Sequence, residues 1–133
     1  MLSTHPSQSY WKIIENYDRS FPNPNDHQID VDLERTYPGE DFFNDPEIIE
    51  QLRKVCVAYT IRNPEIGYCQ GFNFIVGRFL QIMCEEEAFW MLTQLLESFI
   101  PIDYYSKMVG VITDHNILNM LIEEKLPDLH QHL

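Results

Sequence analysis

Basic residues and cysteines are scarce in this chain, and each shortage excludes a class of protein. Only 9 lysines and arginines stand against 21 aspartates and glutamates, which gives a formal net charge of -12. Binding to nucleic acids and binding to anionic membrane surfaces both rely on clustered basic residues, so we expect neither here. The 3 cysteines form no C-x-x-C pair, so we predict no disulfide framework and no zinc ribbon. This cysteine usage is typical of a reducing, cytoplasmic compartment.

Long apolar runs and a nucleotide-binding glycine loop are missing as well. The most apolar segment, 72–83, is interrupted by Asn73, Gly77, Arg78 and Gln81, so it is not expected to span a membrane. The P-loop pattern G-x-x-x-x-G-K-[ST] does not occur, so we predict that the chain binds no nucleotide itself. The histidines at 130 and 132 do not share a helical face and have no obvious third ligand, so no metal site is predicted.

What the chain does contain is enough apolar surface for one core, arranged at helical spacing. It has 133 residues, of which 44% are hydrophobic, and no convincing β alternation. The fold class predicted is therefore all-α, a bundle-like array of helices. The segments expected to be helical are 10–17, one or two turns within 29–36, a helix from Pro46 after an Asp45 cap to near Asn63-Pro64, then 68–83, 85–99, 108–122 and a final turn from Pro127. The segment 68–83 is apolar around most of its circumference, so we expect it in the middle of the bundle.

The two ends of the chain carry separate expectations. Residues 1–9 are polar and are expected to form a flexible lead-in, followed by a single unit over 10–133. Leu126, Leu129 and Leu133 continue an apolar helical spacing to the last residue. We therefore expect 10–133 to be part of a larger domain whose core continues beyond it.

Two short motifs carry most of the functional information. The first is Ile29-x-x-Asp32-x-x-Arg35-Thr36, in which three-residue spacing puts Asp32 within reach of Arg35 on a helical turn. The second is Tyr68-Cys69-Gln70-Gly71-Phe72-Asn73. A guanidinium and a neutral amide presented together are suited to stabilising a phosphoryl-transfer transition state that belongs to another protein.

These motifs resemble the two signature motifs of the TBC domain, the family of GTPase-activating proteins for Rab-type small GTPases. The resemblance continues in 88–90, in Tyr104-Tyr105 and in 125–129, always in the family's order. It covers the chain from about Tyr10 to the C-terminus. It implies an all-helical domain, of which this chain is the N-terminal portion and the second helical half is missing.

The resemblance also implies a role for each motif residue. Arg35 would be an arginine finger and Gln70 a glutamine finger, inserted into the nucleotide site of a GTP-bound Rab. Four residues would support them or bind the partner: Asp32 orienting the guanidinium, Tyr68 and Asn73 fixing the turn that carries Gln70, and Thr36. The protein would complete its partner's active site rather than be an enzyme itself. It would have no cofactor, because GTP and Mg²⁺ belong to the partner.

Other interpretations of the same residues stay open at this stage. Arg35 among acidic neighbours is typical of a surface salt bridge, and Gln70 of a polar residue near a buried helix start. A truncated TBC protein could bind a GTPase as a scaffold without accelerating hydrolysis, or could fold only in a dimer or longer chain. A Rab activator would act in vesicle traffic and could be recruited to an endomembrane by its Rab partner. The sequence does not indicate which Rab is bound, which membrane is involved or the oligomeric state.

Overall fold

The structure, a computed structural model, describes residues 10–18, 23–101 and 103–132. The expected lead-in at 1–9 and the terminal Leu133 lie outside these ranges. Within them the chain forms eight α-helices and no β-strand, which confirms the all-α prediction. The helices are α1 (Tyr10–Asn16), α2 (Asp26–Leu33), α3 (Pro46–Arg62), α4 (Phe72–Leu80), α5 (Glu85–Gln94), α6 (Asp103–Ser106), α7 (Val109–Lys125) and α8 (Pro127–His130), with a 3-10 turn at Asp41–Asn44 and a π-helical turn at Leu95–Phe99.

Helix α3 begins and ends where the sequence predicts. The Asp45 carboxylate accepts a hydrogen bond of 2.8 Å from the Glu47 amide, and Pro46 occupies the first helical turn, where its missing N–H costs nothing. The helix ends at Arg62, before the Asn63-Pro64 step that is incompatible with continued helix. Both boundaries depend on neighbouring residues alone, which is why they can be predicted without the fold.

The centre of the fold is α3, not the segment 68–83, whose apolar residues around most of a helical circumference predict that position. Every residue from 55 to 60 is buried, so this part of α3 is covered around its whole circumference by α1, α2, α4 and α5. Four aromatic rings at the contacts between these helices are almost fully buried: Tyr10, Tyr59, Phe72 and Phe89. We call α1–α5 the body of the domain.

Helices α6, α7 and α8 form an extension that we call the C-terminal arm. Helix α7 packs against α6 and α8, and none of its residues is buried. The arm contacts the body through Tyr105, whose ring lies edge-on to Phe72 with centroids 5.2 Å apart. The helix predicted over 108–122 is confirmed as α7, but its apolar residues, among them Ile112, Leu118 and Met120, are exposed. No helix in the described ranges is long and apolar enough to cross a membrane.

Two leucine substitutions, one in the body and one in the C-terminal arm, should differ in how much they lower the free energy of unfolding. Leu92 is fully buried against α3, whereas Leu118 is 54% exposed on α7. We expect Leu92→Ala to lower the free energy of unfolding by about 2 to 5 kcal/mol, because it leaves a cavity. Leu118→Ala should change it by about 0.5 kcal/mol or less. Urea unfolding of both variants measures this, and equal losses would contradict the exposed position of α7.

Candidate functional site

The arginine motif spans the end of α2 and the turn that follows. Helix α2 runs from Asp26 to Leu33, so it starts before the predicted segment and ends before Arg35. The backbone N–H of Arg35 donates to the carbonyl of Asp32 at 3.1 Å, and that of Thr36 to the carbonyl of Leu33 at 3.1 Å. These i to i−3 bonds tighten the chain after the helix. Arg35 is consequently presented from a turn rather than from the side of a helix.

The side chains of Asp32 and Arg35 form the predicted ion pair. Arg35 Nη2 lies 2.6 Å from Asp32 Oδ1, and the Asp32 side chain is only 3% exposed while that of Arg35 is 59% exposed. Gln28, one turn earlier on α2, donates to the same carboxylate oxygen at 3.1 Å. The buried carboxylate thus fixes one edge of the guanidinium, and the remainder of the planar group faces solvent.

The glutamine motif is a turn followed by α4, which corrects the prediction of one helix over 68–83. Tyr68 to Gly71 are not helical, and α4 starts at Phe72. Gly71 has φ +108°, a conformation that side-chain-bearing residues rarely adopt, and it reverses the chain just before the helix. The Gly71 amide donates to Asn73 Oδ1 at 3.2 Å and closes the turn. Gln70 stands at its tip and is exposed.

A buried hydrogen-bond network joins the two motifs. The Tyr68 hydroxyl donates to Asp32 Oδ2 at 3.0 Å and lies 3.2 Å from Asn73 Oδ1. Asn73 Nδ2 donates to Thr36 Oγ1 at 2.8 Å and to the Asp32 carbonyl at 3.3 Å. Thr36 Oγ1 donates in turn to the Asp32 carbonyl at 2.8 Å. The four predicted supporting residues are therefore in direct contact, between the segments that carry Arg35 and Gln70.

Two further residues, Gln28 and Asn25, belong to this arrangement but are not among the residues predicted from the sequence. Gln28 lies four residues before Asp32, so helical spacing alone was a signal for it. Asn25 precedes α2, and its Oδ1 accepts from the Tyr68 amide at 3.3 Å across 43 residues of chain. No local pattern indicates that contact, because it depends on the packing of two distant segments.

Three other residues with ionisable or metal-binding side chains, Asp30, Cys69 and His132, lie outside this network. Asp30 does not pair with Asp32; its carboxylate accepts from Arg53 Nε at 2.7 Å on another side of α2. Burial raises the pKa of the Cys69 thiol above its ordinary value, which disfavours a nucleophilic role beside Gln70. His132 Nδ1 lies 2.8 Å from the Asp128 carbonyl oxygen in the exposed arm.

The site thus consists of an exposed guanidinium and an exposed carboxamide, each on a turn that a shared buried network holds. Comparison with known proteins places the chain that carries it in a family. The chain belongs to the Rab-GTPase-TBC domain family, whose model matches residues 3–133.

Similar proteins include TBC1 domain family member 2B of Mus musculus and of Homo sapiens, each 44% identical over 113 residues, which is 83% of this chain. TBC1 domain family member 2A of Rattus norvegicus is 38% identical over 133 residues, or 97% of this chain. This chain spans 12% of the length of the two 2B proteins and 14% of that of the 2A protein.

Removing Asn73 should destabilise the fold by breaking the network. Its side chain bonds Thr36 and Gly71 while the residue is only 1% exposed, so Asn73→Ala leaves buried partners unsatisfied. We expect a loss of about 1 to 3 kcal/mol in the free energy of unfolding. Asn119→Ala on exposed α7 is the control, with an expected change of about 0.5 kcal/mol or less. Chemical denaturation compares the two, and a neutral Asn73→Ala would show that the network is dispensable.

The network should also make stability depend on alkaline pH. Burial, and then the nearby Cys56 and Asp32, raise the pKa of the Tyr68 hydroxyl above its ordinary value of 10.0. The unfolded chain therefore releases this proton at a lower pH than the folded chain does. The contribution to stability is complete below about pH 10 and is lost as the pH rises further. In urea unfolding at a series of pH values, Tyr68→Phe should show a shallower alkaline decline than the wild type; identical slopes would contradict the assignment.

Proposed function

We propose that this protein activates a Rab-type small GTPase in its GTP-bound form, by inserting Arg35 and Gln70 into the partner's nucleotide site. The observation that carries the proposal is the network of Asp32, Tyr68 and Asn73, which ties together the turns bearing the two exposed side chains. Membership of the Rab-GTPase-TBC domain family supports the same conclusion. GTP and Mg²⁺ would come with the partner, and this chain would complete that active site.

Arg35 would stabilise charge that develops on the transferring phosphoryl group. A guanidinium is planar, permanently charged and able to donate several parallel hydrogen bonds to phosphate oxygens, which an ammonium cannot copy. Asp32 holds one edge of the group at 2.6 Å, while 59% of the side chain is exposed. The side chain is thus partly oriented before the partner arrives, so less freedom would be lost on binding.

Gln70 would position the water that attacks the γ-phosphorus. A carboxamide both donates and accepts hydrogen bonds, so it can align a water molecule without a shifted pKa. The Gln70 side chain is exposed and has no hydrogen-bond partner among the described residues. The amide is therefore available to a docked partner.

The cellular role that follows is regulation of vesicle traffic. Accelerated hydrolysis would switch off a Rab on the membrane where that Rab resides. The protein would act from the cytoplasm, and binding to the Rab would recruit it to an endomembrane. A net charge of -12 argues against independent attachment to anionic lipids.

A hydrolysis screen with matched substitutions tests the proposal. GTP-loaded Rabs are mixed with excess wild-type chain, Arg35→Lys or Gln70→Ala, and single-turnover GTP hydrolysis is followed. In the Ras activator an arginine finger contributes about 10³ to 10⁵ in rate, so we expect Arg35→Lys to remove most of the acceleration. Gln70→Ala should also reduce it strongly, since the water loses its orientation.

The controls are the same substitutions at an arginine and a glutamine outside the site. Arg62, the last residue of α3, pairs with Glu97 in the π-helical turn and is replaced by lysine. Gln131 is exposed and is replaced by alanine. Both should retain the wild-type rate. Rates for Arg35→Lys and Gln70→Ala equal to those of the controls would exclude the two-finger assignment.

A second candidate is a GTPase-binding scaffold that does not accelerate hydrolysis. The observation that favours it is the exposed apolar surface of α7, which is available to another protein. The same screen decides between the candidates when binding is measured beside hydrolysis. A scaffold would bind a GTP-loaded Rab and leave its hydrolysis rate unchanged.

A further inference from the structure

Tyr37 has an unusual backbone conformation directly beside the arginine turn. Its φ is +46°, a left-handed value that is uncommon for bulky residues. It lies two residues after Arg35 and was not predicted to have any role. A conformation of this kind persists only where surrounding contacts hold it, so those contacts indicate what the residue is held against.

The first contacts join Tyr37 to α4. The Tyr37 hydroxyl donates to the Phe74 carbonyl at 2.9 Å, across 37 residues of chain. Its ring also meets the Phe74 ring edge-on, with centroids 5.1 Å apart, and the Phe43 ring at 5.0 Å. Phe74 is the third residue of α4 and stands four residues after Gln70. Tyr37 therefore connects the arginine turn to the helix that starts from the glutamine turn.

A cation and its counterion close the arrangement from the outside. The Arg78 guanidinium lies over the Tyr37 ring, 3.8 Å from its centroid. Glu40 holds Arg78 through two hydrogen bonds of 2.9 and 2.8 Å, and the Glu40 amide donates to the Tyr37 carbonyl at 3.1 Å. Arg78 is on α4 and Glu40 follows the arginine turn, so this pair bridges the same two segments.

The close approach of the ring to α4 is favoured by a residue without a side chain. A Cβ atom on Gly77 would lie 3.1 Å from both Tyr37 Cε2 and Phe43 Cε1, tighter than ordinary contact. The rings therefore pack on the helix backbone itself. Contacts with backbone leave less freedom for sliding than contacts between side-chain ends.

We propose that Tyr37 is a positioning residue, a clamp on the outer side of the site that sets the separation of Arg35 from Gln70. It acts beside the buried Asp32, Tyr68 and Asn73 network and shares none of its hydrogen bonds. The inference rests on the proposed function, because positioning matters only if both side chains act on one partner. Tyr37 itself takes no part in the chemistry.

The clamp predicts a specific kinetic change in Tyr37→Phe. Single-turnover hydrolysis is measured at increasing concentrations of the full chain, which gives a maximal rate and a half-saturating concentration. Loss of the bond to Phe74 should lower the maximal rate about 10-fold, since small misplacements of catalytic groups are costly. The half-saturating concentration and the thermal unfolding midpoint should stay unchanged. Tyr37→Leu, which also removes the ring under Arg78, should lose more, on the order of 10²-fold.

Tyr104→Phe is the matched control, because the Tyr104 hydroxyl also donates to a distant residue, Asp114 Oδ2 at 2.7 Å, but in the C-terminal arm. It should keep the wild-type maximal rate. A second readout needs no GTPase: amide hydrogen exchange at Arg35 and Thr36 should quicken in Tyr37→Phe and not in Tyr104→Phe. That measurement keeps the test valid if Tyr37→Leu does not fold.

The outcomes separate the two proposals. If Arg35→Lys and Gln70→Ala abolish acceleration while Tyr37→Phe keeps the full maximal rate, the clamp is wrong and the proposed function stands. A raised half-saturating concentration at unchanged maximal rate would also overturn the clamp, in favour of direct contact with the partner. If Arg35→Lys and Gln70→Ala leave the rate unchanged, the proposed function fails and the clamp fails with it.

Discussion

The arrangement of the site depends on one buried negative charge, the carboxylate of Asp32. A carboxylate on a side chain that is only 3% exposed is costly unless hydrogen-bond donors surround it. Here Arg35 and Gln28 donate to one oxygen and Tyr68 to the other. Since these donors come from α2, from the turn after it and from a segment more than 30 residues later, satisfying one carboxylate fixes three pieces of chain relative to one another.

The packing below the site explains how the two turns that carry Arg35 and Gln70 are held in fixed positions. Residues 55–60 of α3 are buried on all sides, and α2 and α4 both pack against this helix. The residues that hold the two turns, Asn73 and Thr36 among them, are buried, whereas Arg35 and Gln70 are exposed. Well-packed interiors deform little. The two exposed side chains are thus on short turns that buried residues attach to the body.

Much of this was predictable because it depends on residues near one another in sequence. The Asp45 cap, the end of α3 before Asn63-Pro64 and the contact between Asp32 and Arg35 each follow from local spacing. The turn at Tyr68 to Gly71 did not, because its apolar composition resembles that of the helix after it, and a glycine at positive φ looks like any glycine in sequence.

The contacts of Asn25 and Tyr37 were out of reach for a different reason. Each joins segments about 40 residues apart, and no periodicity encodes which distant carbonyl or amide a side chain will meet. The position of α3 at the centre was likewise a property of the assembled helices. Apolar residues around 68–83 suggested burial there, but α4 is short and exposes Phe74 and Arg78.

Arg35 lies beyond the last turn of α2. Under the proposed function, this position bears on how selectivity for a GTPase diverges between related proteins. Val31, on α2 and 37% exposed, is only four residues from the cation, yet its side chain has no polar atom and forms no hydrogen bond that holds Arg35. Under the proposed function, a substitution at Val31 would change the surface offered to the GTPase without disturbing the guanidinium. The surface that meets the partner and the group that acts on its phosphate would then vary separately within a stretch of five residues.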